Sequence, residues 1–251
     1  MVMKNSLYHV DREKLILDHL PLVKLTLNRL SHALPPHIDK DDLLETGIVG
    51  LIEAANRFDP SHGSNFASFA KARIRGAIVD ELRSQDWVPR SLRQKAKEVE
   101  DLYVRLESKL GRLPTDEEMA DALGISEEEY SKLMGDMNFV SIYSLEELSE
   151  ILFDQERDLL ESIPDTEHRD PFEEAEIADK VRILAEALGE LDERERLVLT
   201  LYYYEELTIS EIGKVLGRAK STVSEIHTKA LLKLKARLKS KLGKSVDTPS
   251  S

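Results

Sequence analysis

Two stretches of this 251-residue chain carry side chains at spacings suited to handling nucleic acid. Residues 207–234, LTISEIGKVLGRAKSTVSEIHTKALLKL, read as two short helices joined by a turn at Gly217, the second of them basic. A helix that enters the major groove offers its first residues to base edges. Here Lys220, Ser221, Ser224 and Glu225 hold hydrogen-bonding groups for base edges, and Lys229 and Lys233 hold cations for phosphate. Arg218 stands after the turn glycine, where an apolar residue is usual. Its stem can lie along the surface while the guanidinium reaches phosphate. The second stretch, NFASFAKARIRGAIVDELRSQDW, sets Phe66, Phe69 and Trp87 among Lys71, Arg73, Arg75 and Arg83. Aromatic faces beside cations suit bases that have left the stack. Asp80 and Glu81 can orient those arginines or accept from a cytosine amino group. Burial of Phe66 and Phe69 in an ordinary apolar interior is the competing reading.

Both stretches need helices to position them, and almost the whole chain carries helical periodicity. Apolar residues recur at three- and four-residue spacing in REKLILDHLPLVKLTLNRL, with a kink or break expected at Pro21. Asp39 or Asp41 can cap DLLETGIVGLIEAANRF. A break at Trp87–Arg90 separates the aromatic-basic helix from SLRQKAKEVEDLYVRLESKL, which Gly111 and Pro114 stop. Helical period is lost near Phe139–Leu145, and residues 146–176 read as an extended acidic linker with Pro164 and Pro171. The expected class is all-α, several small helical domains joined by linkers, with boundaries at 1–89, 90–143, 144–177 and 178–251.

A repeat supports the helix-turn-helix reading. PTDEEMADALGISEEEYSKL (114–133) aligns without gaps on LTISEIGKVLGRAKSTVSEI (207–226). Thr115 and Thr208 are matching N-caps, each followed by the glutamate of a capping box, Glu118 and Glu211. Gly124 matches the turn Gly217, and Tyr130 and Leu133 match Val223 and Ile226 as buried positions. The earlier copy opens its second helix with Glu127, Glu128 and Glu129, which phosphates repel. Only the later copy is therefore expected to read DNA.

Composition sets the limits. The chain holds 35 Lys+Arg against 48 Asp+Glu, a formal charge of −13. The excess sits in residues 146–179, with 14 acidic and two basic residues. Residues 214–244 carry ten basic and one acidic, and residues 71–97 eight basic and three acidic. No cysteine is present, which excludes disulfides and thiolate metal sites and fits a reducing compartment. The N-terminus lacks an apolar signal core and no apolar run approaches a membrane span, so a cytoplasmic location is expected. The seven histidines are scattered, with no metal-ligand spacing, phosphate loop or nucleophile motif. No catalytic residue, metal or cofactor is therefore expected. His227, at the end of the basic helix, is either a DNA contact or a solvated side chain.

DDLLETGIVGLIEAANRFDPSHGSNFASFAKARIRGAIVDELRSQDWVPRSLR resembles the second region of bacterial sigma factors of the sigma-70 superfamily. RIRGAIVDELRSQDWVPRSLR is similar to the motility and sporulation (FliA- and WhiG-like, flagellar) group. LPTDEEMADALGIS resembles the third region, and residues 207–234 resemble the DNA-reading part of the fourth. The resemblance implies a subunit that docks on core RNA polymerase, through its clamp coiled coil and flap, and directs initiation at promoter DNA. It implies polymerase contacts at Asp42, Glu45, Thr46, Ile48 and Ile52. Contacts to the −10 element fall to Phe66, Phe69, Lys71, Arg73, Arg75, Asp80, Glu81, Arg83 and Trp87, although Ala72 and Arg73 stand where housekeeping members have a tryptophan pair. Arg93, Lys95 and Lys97 would lie near an extended −10 element, and Arg218, Lys220, Ser221, Ser224, Glu225 and Lys229 near the −35 element. An anti-sigma partner is implied too. The acidic linker is expected to imitate nucleic acid and to discourage DNA binding without polymerase. A stand-alone helix-turn-helix regulator is the alternative; it leaves the aromatic-basic helix and the acidic linker without a role.

Overall fold

Helix ends fall where side chains can satisfy the first free backbone N–H groups. In the computed structural model, which describes residues 12–35, 37–59, 65–153 and 171–245, the described residues form eleven α-helices and no strand. They divide into two units, one holding the described residues up to 87 and the other those from 88 onward.

The first unit is built from α1 (Arg12–Leu30), α2 (Lys40–Arg57) and α3 (Phe66–Ser84). Helix α1 runs through Pro21 without a break, so of the expected kink or break the break is not found. Asp39 caps α2 by accepting from the Asp41 N–H at 2.8 Å, and Asn65 caps α3 in the same way through Ala67. Leu43, Leu51, Ile74, Ile78 and Leu82 are completely buried between the helices. Two glycines on α2 let its neighbours approach. A Cβ at Gly47 would lie 2.6 Å from Val23 Cγ1, and one at Gly50 would lie 2.9 Å from Ala77 Cβ and 3.0 Å from the Arg73 carbonyl oxygen.

The second unit begins with α4 (Arg90–Leu110), which stops at Gly111 in the left-handed region (φ 71°). The two halves of the sequence repeat follow as α5 (Asp116–Leu123) with α6 (Glu127–Asp136), and α10 (Ile209–Leu216) with the start of α11 (Lys220–Ser245). The capping boxes form as read: Thr115 with Glu118, and Thr208 with Glu211. Gly124 and Gly217 both hold positive φ, 69° and 61°, a conformation that costs other residues about 1–2 kcal/mol. Behind each glycine the next N–H turns back, Ile125 to Ala120 and Arg218 to Gly213. Tyr130 and Val223 are buried at equivalent positions.

The expected loss of helix near residue 140 is not found. Helix α7 spans Val140–Phe153, and α8 spans Pro171–Gly189, so helix occupies both ends of the acidic stretch; residues 154–170 lie outside the described residues. Tertiary packing decides this: Leu148 and Leu152 of α7 are buried with Leu231, Leu234 and Leu238 of α11. Each buried leucine contributes roughly 1.5–3 kcal/mol, enough to override weak local periodicity. Helix α9 (Glu193–Leu199) continues into a π turn, Thr200–Tyr204, in which the Glu205 N–H reaches the Thr200 carbonyl five residues back. Helix α11 passes through the middle of this unit, against α4, α6, α7, α8, α9 and α10. No helix among the described residues is long and apolar enough to cross a membrane.

Gly50→Ala should lower stability in urea denaturation, because the added methyl meets backbone atoms that cannot rotate away, and overpacking costs about 1–3 kcal/mol. Gly76→Ala, with nothing within 4 Å of its Cβ, should instead raise stability through helix propensity, by about 0.5–1 kcal/mol. The Glu118 carboxyl, gripped by Arg112 at 2.7 Å and by the Thr115 N–H at 2.8 Å, is held down to about 2 from 4.5. A depressed carboxylate contributes its stability above the unfolded value and loses it as pH falls toward the folded one. Carboxyl NMR should show Glu118 titrating near the bottom of that window, and Arg112→Ala should move it upward.

Candidate nucleic-acid interface

Helix α3 has an inner and an outer face, and they separate the two expected aromatic contacts. Phe66 is 6% exposed, edge-on to His19 at 4.7 Å and to Phe58 at 5.1 Å. In this conformation it is a core residue, and no base can stack on it. Phe69 is half-buried beside Phe58, with the Arg73 guanidinium over its ring at 5.8 Å. Arg73 and Phe69 thus form a cation–π pair of the kind that contributes about 0.5–1 kcal/mol at partly exposed sites. Lys71, Arg75 and Trp87 are half-buried on the remaining surface. Asp80 orients Arg83 through a 3.1 Å pair, while Glu81 accepts from Gln85 at 2.9 Å. On α4, Arg93 and Lys97 are exposed and Lys95 pairs with Glu98 at 3.2 Å.

Helix α2 presents a separate surface. Asp42 and Glu45 are exposed, Thr46 donates to the Asp42 carbonyl at 3.0 Å, and Ile48 is half-buried. Ile52 is exposed, and Val49 is more so, at 53%. Val49 was missed by the sequence reading, although positions 42, 45, 49 and 52 share one helical face. Two apolar side chains flanked by carboxylates form a surface suited to a partner helix with basic residues.

At the second helix-turn-helix, the first turn of α11 is open, whereas most of the helix beyond it is buried or half-buried. Arg218, Lys220 and Ser221 are exposed. Ser224 is 7% exposed, which corrects its reading as a base contact in this conformation. Glu225 is half-buried and receives Lys229 at 2.6 Å. Lys229 also departs from expectation. Its ammonium meets Asp116 of α5 at 2.8 Å and lies 5.1 Å from the Tyr130 ring centre. Burial alone would lower the pKa of that ammonium, but Asp116 and Glu225 outweigh burial and hold it above the ordinary lysine value. Lys233 is also paired, with Glu195 at 2.5 Å. His227 is neither a DNA contact nor solvated. It is completely buried, 4.5 Å from the Tyr202 ring and stacked on Tyr203 at 5.7 Å. The π turn places those two tyrosines, and no local signal in the sequence announced it.

The first helix-turn-helix keeps its acidic entry. Glu127 and Glu128 are exposed at the start of α6, and Glu129 closes the Ser126 capping box. Its buried side holds a 2.5 Å hydrogen bond between the Tyr103 and Tyr130 hydroxyls. Burial pushes the Tyr130 hydroxyl upward, as it does that of Tyr103, so both stay protonated at neutral pH.

Comparison with known proteins matches three family models along the chain: sigma-70 region 2 at residues 15–88, sigma-70 region 3 at 94–175 and sigma-70 region 4 at 187–236. The chain is 41% identical over 245 residues to RNA polymerase sigma factor FliA of Escherichia coli K12, covering 96% of this chain and 99% of that protein. It is 39% identical over 225 residues to RNA polymerase sigma-D factor of Bacillus subtilis, covering 89% and 87% of the two chains. Among solved structures it is similar to the sigma chain of a flagellar sigma/anti-sigma complex, Sigma-28/FlgM. The identity there is 40%, the TM-score 0.56, and the coverage 90% of this chain and 95% of that one.

Phe66→Ala should destabilise the chain by about 3–5 kcal/mol in denaturant unfolding, as removal of a buried aromatic does. Phe69→Ala should cost clearly less, because its ring is already partly in water.

Proposed function

This chain belongs to the sigma-70 family of bacterial transcription initiation factors, with FliA-type flagellar sigma factors among its relatives, and on that premise we propose that it directs core RNA polymerase to promoters of flagellar-type genes. The observation that carries this reading is the order of surfaces along one chain. A carboxylate-flanked apolar face on α2 precedes an aromatic-basic helix α3, and a helix-turn-helix with an exposed basic first turn follows. The α2 face, Asp42, Glu45, Thr46, Ile48, Val49 and Ile52, docks on the polymerase clamp. Phe69, Lys71, Arg73, Arg75, Arg83 and Trp87 engage the −10 element, with Asp80 holding Arg83 in place and Glu81 turned instead to Gln85. Phe66 supports Phe69 through Phe58, whose ring meets both. Arg93, Lys95 and Lys97 lie toward an extended −10 element, and Arg218, Lys220 and Ser221 read the −35 element.

Residues 1–89, 90–143 and 178–251 act as three modules, joined by the acidic segment 144–177. The chain is a specificity subunit and contributes no catalytic group of its own; the polymerase makes the RNA. It works in the cytoplasm, where polymerase and promoter are. A flagellar relative is solved with an anti-sigma partner, and the same class of partner is expected for this chain. A stand-alone regulator fits less well, because it gives the α2 and α3 surfaces no task.

The reading is tested by size-exclusion of the chain with core polymerase, followed by run-off transcription from a motility-type promoter. A stable complex that starts at the promoter is expected; tight duplex binding without polymerase and no complex would sink it. Loss of both Lys220 and Ser221 side chains should cut transcription about tenfold or more at promoters that depend on the −35 element, since a base contact contributes about 1–3 kcal/mol of discrimination. The same change should leave polymerase affinity unaltered.

A further inference from the structure

Helix α4 separates its charges by side. Its 21 residues hold six cations and four carboxylates. Val99, Leu102, Tyr103 and Glu107 are buried on the inner side. Three of the four carboxylates already have a cation. Glu98 accepts from Lys95 at 3.2 Å, Glu100 meets Lys235 at 2.7 Å, and Glu107 pairs with Arg237. The fourth, Asp101, is exposed. The outer side of α4 is therefore more basic than its composition suggests.

On that outer side every fourth position falls on one ridge: Arg93, Lys97, Asp101, Arg105 and Lys109, all exposed. From 93 to 109 the ridge covers about 24 Å of helix axis, the rise of about seven base pairs. Arg93 and Lys97 are the residues proposed to lie toward an extended −10 element. Arg105 and Lys109 continue the same ridge about 12 and 18 Å further along the axis. Arg112, past the end of the helix, does not extend it, because Glu118 grips that guanidinium at 2.7 Å. The ridge is thus a row of four cations with one carboxylate in the middle, fixed in direction by the buried side of the same helix.

Resting on the reading of the chain as a sigma factor, we propose that Arg105 and Lys109 hold the phosphate backbone of the promoter spacer, upstream of the −10 element, without reading its sequence. Arg93 and Lys97 set where the helix first meets the duplex. The rigid length of α4 sets how far the contact runs beyond that point. Contacts of this kind fix register and orientation and carry no sequence information. Asp101, in the middle of the ridge, faces the same phosphates and subtracts from the attraction. An acidic protein surface is the other occupant that such charge could take, and continuity with Arg93 and Lys97 favours DNA.

The test uses the full chain bound to core polymerase and a motility-type promoter duplex, with affinity measured over a range of salt. Arg105→Ala combined with Lys109→Ala should flatten the slope of log affinity against log salt by about 1.8, since each phosphate contact contributes about 0.9. Affinity for core polymerase should stay the same. Asp101→Lys should steepen the slope by about 0.9. Uncharged methylphosphonate linkages across the spacer should weaken binding by the unaltered chain and remove its advantage over the double variant. New spacer bases at constant length should leave that advantage intact. An unaltered slope in the double variant, with helix content preserved by circular dichroism, overturns the proposal. So does a loss of polymerase affinity, which would assign the ridge to a protein partner, or an advantage that follows the spacer bases. If the double variant loses helix content, Asp101→Lys decides in its place, and a slope no steeper than that of the unaltered chain overturns the proposal. If the unaltered chain forms no complex with polymerase, the sigma reading fails and takes this proposal with it. A complex whose slope ignores the ridge removes this proposal alone.

Discussion

Neutralisation of α11 is the condition on which the second unit depends. A 26-residue helix with cations at 229, 233, 235, 237, 239 and 241 could not run through the middle of a protein unless carboxylates met it there. They do, and they come from α4, α5, α7, α8 and α9 as well as from α11 itself. The mutual effect is visible in the titrating groups. Burial alone would raise Glu100, but Lys235 and Lys239 outweigh it and hold its carboxyl below the ordinary range. Glu195 goes the other way, because for it burial exceeds the attraction of Lys233. The pairs keep charge in the interior tolerable without making it strongly stabilising, and the buried leucines of α11 supply the cohesion.

This resolves the contrast between an acidic chain and a basic DNA-reading helix. The formal charge of −13 does not describe a repellent surface laid over the whole molecule. Part of the acid is spent against the basic stripe. What remains open at the turn after Gly217 is a small set of side chains, among them Arg218, Lys220 and Ser221. Most DNA affinity comes from phosphate neutralisation. If these side chains read promoter DNA, as proposed, attraction would come from the larger assembly and selection from this turn.

The first unit follows a different constraint, steric rather than electrostatic. Gly47 and Gly50 remove side chains where α2 meets α1 and α3, so the three helices close tightly over Leu43, Leu51, Ile74 and Ile78. That closeness turns one side of α3 inward, taking Phe66 with it, and leaves Phe69 and Arg73 stacked at the margin. It also turns the exposed face of α2 outward as an apolar strip bordered by Asp42 and Glu45. The two surfaces therefore share one scaffold.

Much that is governed by neighbours in sequence was legible beforehand: the all-α class, the N-caps Thr115 and Thr208 with Asp39 as one of two candidates for α2, the helix stop at Gly111, the turn glycines 124 and 217, and the two matching helix-turn-helix units; the caps Asn65, Ser126 and Asp192 were missed. These depend on hydrogen bonds that span three or four residues, and residue type alone decides them. The tertiary structure decided which of the candidate contacts stayed exposed. Phe66 and Phe69 lie one turn apart with the same chemistry, yet only one is core. Lys229 and Lys220 stand on the same helix, yet Asp116, 113 residues away, claims only the first of them. Helix at 140–153 exists because α11 offers leucines to Leu148 and Leu152, and His227 is buried because a π turn brings Tyr202 and Tyr203 to it. Burial and long-range charge pairing arise between segments that periodicity treats separately, so they are settled only when the chain closes on itself.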